Sequence, residues 1–248
     1  DSAENWRAIG LGIMGLADML IKMEIIYGSQ ESLELCDKIG HLMAQYAITQ
    51  SIEEAENHGS FPKCDNCSII ASDFFKEHAH PTAGIKVLEN GIRNAQLLSC
   101  APTGTLSTML NISGGIEPMF DRYYERKTET LNDEEKIYKV YTQIVWDYMQ
   151  EHGISEDDDD QLPEWFITAK EIPYQDRIKM QGVWQKHIDN SISSTVNLPE
   201  STTIKDVMDL YMMAWEEGLK GVTIFREGCK RAPILNSTKK KEKPKNDE

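Results

Sequence analysis

Arg93-Asn-Ala-Gln-Leu-Leu-Ser-Cys-Ala-Pro-Thr-Gly-Thr-Leu-Ser-Thr-Met-Leu-Asn-Ile-Ser-Gly-Gly-Ile-Glu-Pro118 is the stretch whose reading decides the fold. Gln96 to Ala101 is short and mostly apolar, as a buried strand is. Pro102, Thr103, Gly104 and Thr105 break it, and Thr105 or Ser107 can cap a short helix through Leu110. A strand, a Gly/Thr loop and a helix N-terminus together build an anion site. Free backbone N–H groups and the helix dipole point at one spot, and threonine hydroxyls add donors. The same pattern also fits an ordinary strand-to-helix turn. The loop carries no lysine, so it is not the P-loop pattern.

Outward from this stretch, composition narrows the class. The chain has 248 residues, 40% hydrophobic and 27% charged, enough for one sizeable core or two small ones. No apolar run is long enough to span a bilayer, and no basic-then-apolar leader pattern opens the sequence. It begins at Asp1 in mid-pattern, which suggests a fragment or a processed piece. The net charge is −15; Lys239 to Glu248 holds five lysines against three acids, so residues 1–238 carry −17. So acidic a body does not bind a nucleic-acid backbone over a broad surface, and any phosphate site must be local and built from backbone donors. Five cysteines at irregular spacing (Cys36, Cys64, Cys67, Cys100, Cys229) argue against a disulfide framework and for a reducing cytoplasm.

Periodicity supplies the neighbouring elements. Ile9, Ile13, Met14, Leu16, Ala17, Leu20 and Ile21 predict a helix over about 10–23, with Gly10, Gly12 and Gly15 accepted for close packing against another backbone. Gly10-Leu-Gly-Ile-Met-Gly15 matches the dinucleotide fingerprint but lacks its strand context. Ser29 caps a long helix that Gly59 ends, with Cys36, Ile39, Met43, Tyr46 and Ala47 as its apolar stripe. Cys64-Asp-Asn-Cys67 reads first as a plain loop. A metal, disulfide or redox pair is the other reading, and no second pair or regular histidine set (His58, His78, His80) completes it. A short helix over Phe74–His80 is ended by Pro81. Asp121 to Lys127 reads as a half-exposed strand, and Asn132 as the start of a helix that Gly153 closes. The acidic run Glu156 to Asp160 reads as a solvated loop. Pro173 opens a helix ending near His187; the partly alternating run to Leu198 is a strand with a polar face, on which Asp189, Ser191 and Ser193 are second-rank site candidates. Thr203 and Asp206 form a capping box, Gly218 and Gly221 end the helix it opens, and Val222 to Phe225 is a short buried strand. Strand, helix, strand is a crossover of parallel α/β architecture.

Four segments carry a resemblance. Ala101-Pro-Thr-Gly-Thr105 with Gly115-Ile-Glu-Pro118 resembles the substrate-phosphate loop of ribonucleotide reductase catalytic subunits. Arg7 to Asp18, His187 to Asn197 and Gly218 to Gly228 resemble, in family order, the segment after the catalytic cysteines, a late barrel strand and the last barrel strand. The Pro-Thr-Gly-Thr loop and the Lys220-Gly-Val-Thr-Ile-Phe-Arg-Glu-Gly228 ending are most similar to the adenosylcobalamin-dependent (class II) branch. The radical-relay tyrosine pair of the class I branch is not at its place, which reads Val222-Thr-Ile-Phe225; Tyr123-Tyr124 lies far upstream.

The resemblance implies an α/β fold, the C-terminal half of a ribonucleotide-reductase-type ten-stranded α/β barrel. Residues 1–236 would be barrel, and 237–248 a disordered Lys-rich tail or linker. It implies an oxidoreductase that converts ribonucleotides to 2′-deoxyribonucleotides by thiyl-radical chemistry for DNA synthesis. Pro102, Thr103, Gly104, Thr105 and Leu106 would bind the substrate phosphates, Gly104 by allowing close approach and unusual dihedrals. Adenosylcobalamin would be the cofactor, although no motif for it is identifiable here. The partners would be the ribonucleotide substrate, the N-terminal half of the reductase and a thiol reductant such as thioredoxin, with neither nucleic acid nor membrane. The Asn-x-Cys-x-Glu finger loop, the oxidisable cysteine pair and the C-terminal Cys-x-x-Cys tail are absent, so no catalytic or metal-binding residue is assigned. Two rival readings are a class I large-subunit fragment and a non-catalytic phosphate-ligand-binding half-barrel.

Overall fold

In the computed structural model, which describes residues 1–129, 135–156 and 158–229, the run Gln96–Ala101 lies between two other extended segments. Leu98 bridges Leu11 on one side and Cys100 bridges Ile192 on the other, both parallel. The ladder is sparse. Leu11 N donates to Leu97 O (2.9 Å), Ser99 N to Leu11 O (3.0 Å), Asn190 N to Leu98 O (3.1 Å) and Ser193 N to Cys100 O (2.8 Å). The predicted strand is therefore an extended segment with single bridges, buried at Leu97, Leu98 and Cys100.

Around it the elements follow in order: α1 (Ser2–Trp6), α2 (Leu16–Lys22), α3 (Gln30–His58), α4 (Asn66–Ala71), α5 (Asp73–His78), α6 (Ala83–Asn90), α7 (Gly104–Leu110), β1 (Tyr123–Glu129), β2 (Glu135–Tyr141), α8 (Gln143–His152), a 3-10 turn (Asp159–Gln161), α9 (Tyr174–His187), β3 (Thr195–Leu198), α10 (Ile204–Glu216) and β4 (Thr223–Arg226). β3 and β4 pair in parallel, Thr195 against Thr223, with α10 as the crossover. Extended segments near residues 11, 98, 192–198 and 223–226 thus run side by side in chain order, each joined to the next through helices. That is the wall of an α/β barrel. β1 and β2 form a separate antiparallel hairpin. The largest core gathers α2, α3, α9 and the central segment; smaller ones lie under α8 and between α10 and β3–β4.

Several expectations are corrected. The helix expected over 10–23 covers only Leu16–Lys22, because residues 9–13 are extended against the central segment. The backbone packing expected of the three glycines holds at Gly12, where a Cβ would lie 2.1 Å from Ser99 O; at Gly10 the close neighbour is a side chain, Ser99 Oγ at 2.4 Å, and Gly15 is needed instead for its φ of 80°. The helix expected from Asn132 starts at Gln143; Glu135–Tyr141 is a strand, its aromatic and β-branched residues suiting a ladder. Asn132 itself lies outside the described residues. On α3 the buried line is Cys36, Gly40, Ala44, Ile48 and Ile52, and Tyr46 is exposed, because small residues let α9 pack close. α5 stops at His78, before the expected His80. β4 is only half-buried. The tail beyond 236 lies outside the described residues.

Other expectations hold. Ser29 caps α3, with Ser32 N donating to its Oγ, and Gly59 ends it. The Thr203–Asp206 capping box is formed. Cys36 is buried, and burial pushes its thiol up to about 12. Cys64 and Cys67 are not bonded to each other, but the stretch is only partly the loop expected, since Asp65 caps α4 and Cys67 lies in the first turn of that helix. No helix among the described residues is long and apolar enough to cross a membrane.

One cluster was not legible in the sequence. His78 meets His187 and His41 where α5, α9 and α3 come together, instead of joining His58 and His80.

Candidate functional site: the Pro102–Pro118 loop and its cleft

The loop leaves the central segment at Ala101 and returns as Gly114-Gly115, which pass directly over its start. A Cβ on Gly114 would lie 2.8 Å from Pro102 O, and one on Gly115 2.9 Å from Ala101 O. Only glycine permits that crossing, and Gly115 also takes a φ of 48°. Gly115 N donates to Thr103 Oγ1 at 3.0 Å, which ties the two ends together. Thr103 precedes α7 in the left-handed region, φ 51°. The unusual dihedral expected at Gly104 therefore belongs to Thr103. Gly104 is helical, and a Cβ there would meet nothing within 4 Å. The helix cap expected at Thr105 or Ser107 is likewise Thr103, whose side chain makes no capping bond.

Two further anchors hold the loop. Asp18 on α2 accepts from Ser113 N (2.7 Å), while Ser113 Oγ accepts from Ala17 N (3.1 Å). At the far end Glu117 pairs with Arg177 of α9 and accepts from Thr195 N of β3 through its other oxygen at 2.7 Å. Arg177 is 3% exposed and also donates to Thr195 O (2.8 Å), Ser194 Oγ (3.3 Å) and Tyr27 OH (3.3 Å). Tyr27 OH in turn donates to Ile116 O at 2.6 Å. Burial works against the charge on Arg177, but Tyr27 and Glu117 outweigh it, so its pKa is raised. Burial pushes Tyr27 up to about 12 despite Arg177 beside it. A turn that would otherwise be loose is thus fixed to α2, α9 and β3.

Pro102, Gly104, Thr105 and Leu106 are exposed and Thr103 is half-buried. Among the described residues no acceptor meets the N–H groups of Gly104, Thr105 or Leu106. Pro102 also forms part of the rim of a cleft of about 500 Å³ lined by Ser99, Cys100 and Ala101, by Asn190 to Ser194 and by Gly221 to Thr223. It is lined by several hydroxyls, and burial pushes the Cys100 thiol at its wall up to about 11. Ser191 and Ser193 line it, as their place on a polar strand face predicts. Asp189 does not: its two oxygens accept from Leu97 N (2.8 Å) and Leu98 N (2.7 Å), so it secures the strand entry. The sequence did not reveal Lys220, whose ammonium donates to the carbonyls of Asp189 (2.6 Å) and Asn190 (3.1 Å) beside the cleft. Nor did it reveal Arg177. A Glu in the Gly-Ile-Glu-Pro turn was the available signal for a buried cation, but nothing local said where that cation sits.

The family described as "Ribonucleotide reductase, barrel domain" matches residues 1–225. A vitamin B12-dependent ribonucleoside-diphosphate reductase from Mycobacterium tuberculosis is 32% identical over 96% of this chain and 34% of its own length. One of the same name from Thermoplasma acidophilum is 32% identical over 98% of the chain and 31% of its length. The alpha subunit of the class Id ribonucleotide reductase of Actinobacillus ureae superposes with a TM-score of 0.70 at 24% identity, over 91% of this chain and 40% of that one. The chain therefore spans between about a quarter and a third of the length of the curated relatives it matches.

Proposed function

The chain belongs to the ribonucleotide reductase barrel-domain family, and from that premise we propose that it forms the phosphate-holding wall of a reductase that makes 2′-deoxyribonucleotides. In the reaction the 2′-hydroxyl leaves as water, hydrogen takes its place, and a dithiol becomes a disulfide. The reading assigns residues 1–236 to the barrel and 237–248 to a linker or tail. It gives the whole enzyme thiyl-radical chemistry, with the radical cysteine on a segment outside this chain. A thiol reductant such as thioredoxin would supply the electrons.

The observation that carries the reading is the row of unused N–H groups at Gly104, Thr105 and Leu106, on a loop anchored at three points beside a hydroxyl-lined cleft. Substrate phosphates would accept from these groups, with the Thr105 hydroxyl helping. Thr103 would contribute mainly by holding the turn. Anchored phosphates would place the ribose over the cleft, which is positioning catalysis. A preformed donor set loses little order when it binds.

Two relatives carry vitamin B12 dependence in their names, and adenosylcobalamin is the cofactor proposed for the whole enzyme, where it would supply radical initiation. The cleft lining contains no histidine, and its one sulfur, Cys100, has a thiol that burial pushes up to about 11, so it stays protonated and ligates cobalt poorly near neutral pH. The residues here thus do not fit the cofactor by themselves, and no step is assigned to this chain through it.

Gly104→Val tests the phosphate loop. A Cβ there meets nothing within 4 Å beyond its own helix and chain neighbours, so the added side chain extends into the open space proposed for phosphate oxygens. In the reductase reconstituted with its remaining segments, nucleotide binding should weaken by about 1–3 kcal/mol, the scale of lost charge-assisted hydrogen bonds. The matching nucleoside should be spared. Equal losses for both would refute the loop's role.

A further inference from the structure

His78, on α5, and His187, at the end of α9, are both buried and lie against α3. Gly40 of α3 makes the space: a Cβ there would sit 2.6 Å from Cδ2 of His187. His78 Nδ1 lies 2.9 Å from the carbonyl oxygen of Phe74, which can only accept, so this nitrogen carries hydrogen. His187 Nε2 lies 3.0 Å from the Asp37 carboxylate, so it too donates. Two neutral rings held this way present their remaining lone pairs, His78 Nε2 and His187 Nδ1, to each other at 2.7 Å. Bare lone pairs at that separation repel, and a cation between them removes the conflict.

A single shared proton needs only these two nitrogens. A third ring is present: His41, one turn beyond Asp37 on α3, brings a ring nitrogen into a group whose ligand atoms all lie within 4.8 Å of one another. His41 makes no hydrogen bond among the described residues and is only half-buried. A carbonyl on one ring and a carboxylate on another also match the outer contacts that orient metal-bound histidines.

We propose that His41, His78 and His187 bind one divalent transition-metal ion of the zinc class, with Asp37 and the Phe74 carbonyl orienting two of the rings and water in the fourth position. Closing onto a tetrahedral ion would open the 2.7 Å separation to about 3.3 Å, which follows from metal–nitrogen bonds of about 2.0–2.1 Å. The ion would pin α3, α5 and α9 together behind the barrel wall. It would sit apart from the cleft, because three helices supply the ligands and none of the cleft residues does.

The test uses the full chain, freed of metal and titrated with Zn²⁺ against a chromophoric chelator, and separately with Co²⁺ in the absence of cobalamin. One equivalent should bind, Co²⁺ should give the visible absorption of a tetrahedral nitrogen-ligated ion, and saturating Zn²⁺ should raise the Tm. Asp37→Asn should weaken Zn²⁺ by about 10–100-fold, the range for losing such an orienting contact, and His41→Ala by at least as much. Both positions are partly exposed, so both variants should fold. Cys64→Ser/Cys67→Ser should change the affinity by less than about twofold, because its thiols are not ligands in this site. The proposal is overturned by the absence of saturable binding, by binding that survives His41→Ala unchanged, or by binding lost only in the double cysteine variant. A buried pair that merely shares a proton would give the first of these results.

Discussion

Glu117→Ala should destabilise the chain far more than its place in a turn implies. Its carboxylate neutralises Arg177, which is 3% exposed, and accepts from Thr195 N at 2.7 Å. Removing one partner of a buried pair costs about 3–5 kcal/mol, because the remaining charge is left in a poor solvent. Glu117 is itself 27% exposed. Water can therefore reach the gap, and Arg177 keeps Thr195 O, Ser194 Oγ and Tyr27 OH. The low end, about 3 kcal/mol, is the expected loss. Glu117→Gln retains an acceptor for Thr195 and should cost about 1–2 kcal/mol. Adding Arg177→Met to Glu117→Ala removes the stranded charge, so the double variant should be more stable than the sum of the singles by more than about 1 kcal/mol. Urea unfolding followed by circular dichroism, with the slope unchanged, measures all four variants, Arg177→Met alone included. A loss below about 1 kcal/mol for Glu117→Ala, or an additive cycle, would show that this pair does not hold the loop to α9 and β3.

Three further outcomes are expected. Gly12→Ala should cost about 1–3 kcal/mol or more, since its Cβ would strike Ser99 O at 2.1 Å, whereas Gly104→Ala should be neutral or slightly stabilising; comparison of their unfolding midpoints checks this. Peptide mapping after brief alkylation of the native chain should find Cys67 modified while Cys36 and Cys100, buried and pushed up to about 12 and 11, stay unmodified until the chain unfolds. Burial works against the Glu171 carboxylate, but bonds from Thr168 and the nearby Arg122 outweigh it and hold its pKa below 4.5. A carboxyl depressed in the folded state contributes stability that is present above its unfolded value and lost as pH falls through the folded one. Glu171→Gln should therefore lose less stability than the parent on acidification below about pH 4.5, and a parallel pH profile would contradict this.

How much was legible in the sequence follows from the range of the interactions involved. Caps and stops act within one turn, so Ser29, Gly59, the Thr203–Asp206 box and the β3–α10–β4 crossover could be read directly. The break at Pro102 to Thr105 and the turn at Gly114-Gly115 were legible for the same reason. Where two periods competed, local pattern failed: residues 9–13 carry helix-like spacing but are extended, because the backbone at Ser99 crosses their glycines. Ile137 to Tyr141 likewise read as the first turns of a helix until pairing with β1 made them a strand. Contacts between distant residues could not be read at all. Glu117 meets Arg177 sixty positions on, His78 meets His187 across 109, and Asp189 reaches back to Leu97 and Leu98. The sequence by itself determined the loop, its glycines and the parallel α/β class, since those rest on backbone freedom and nearest neighbours. Only the tertiary structure decided which charges are buried together, which lone pairs face each other and which N–H groups of the described residues meet no acceptor, because burial and long-range pairing exist only once the chain has closed on itself.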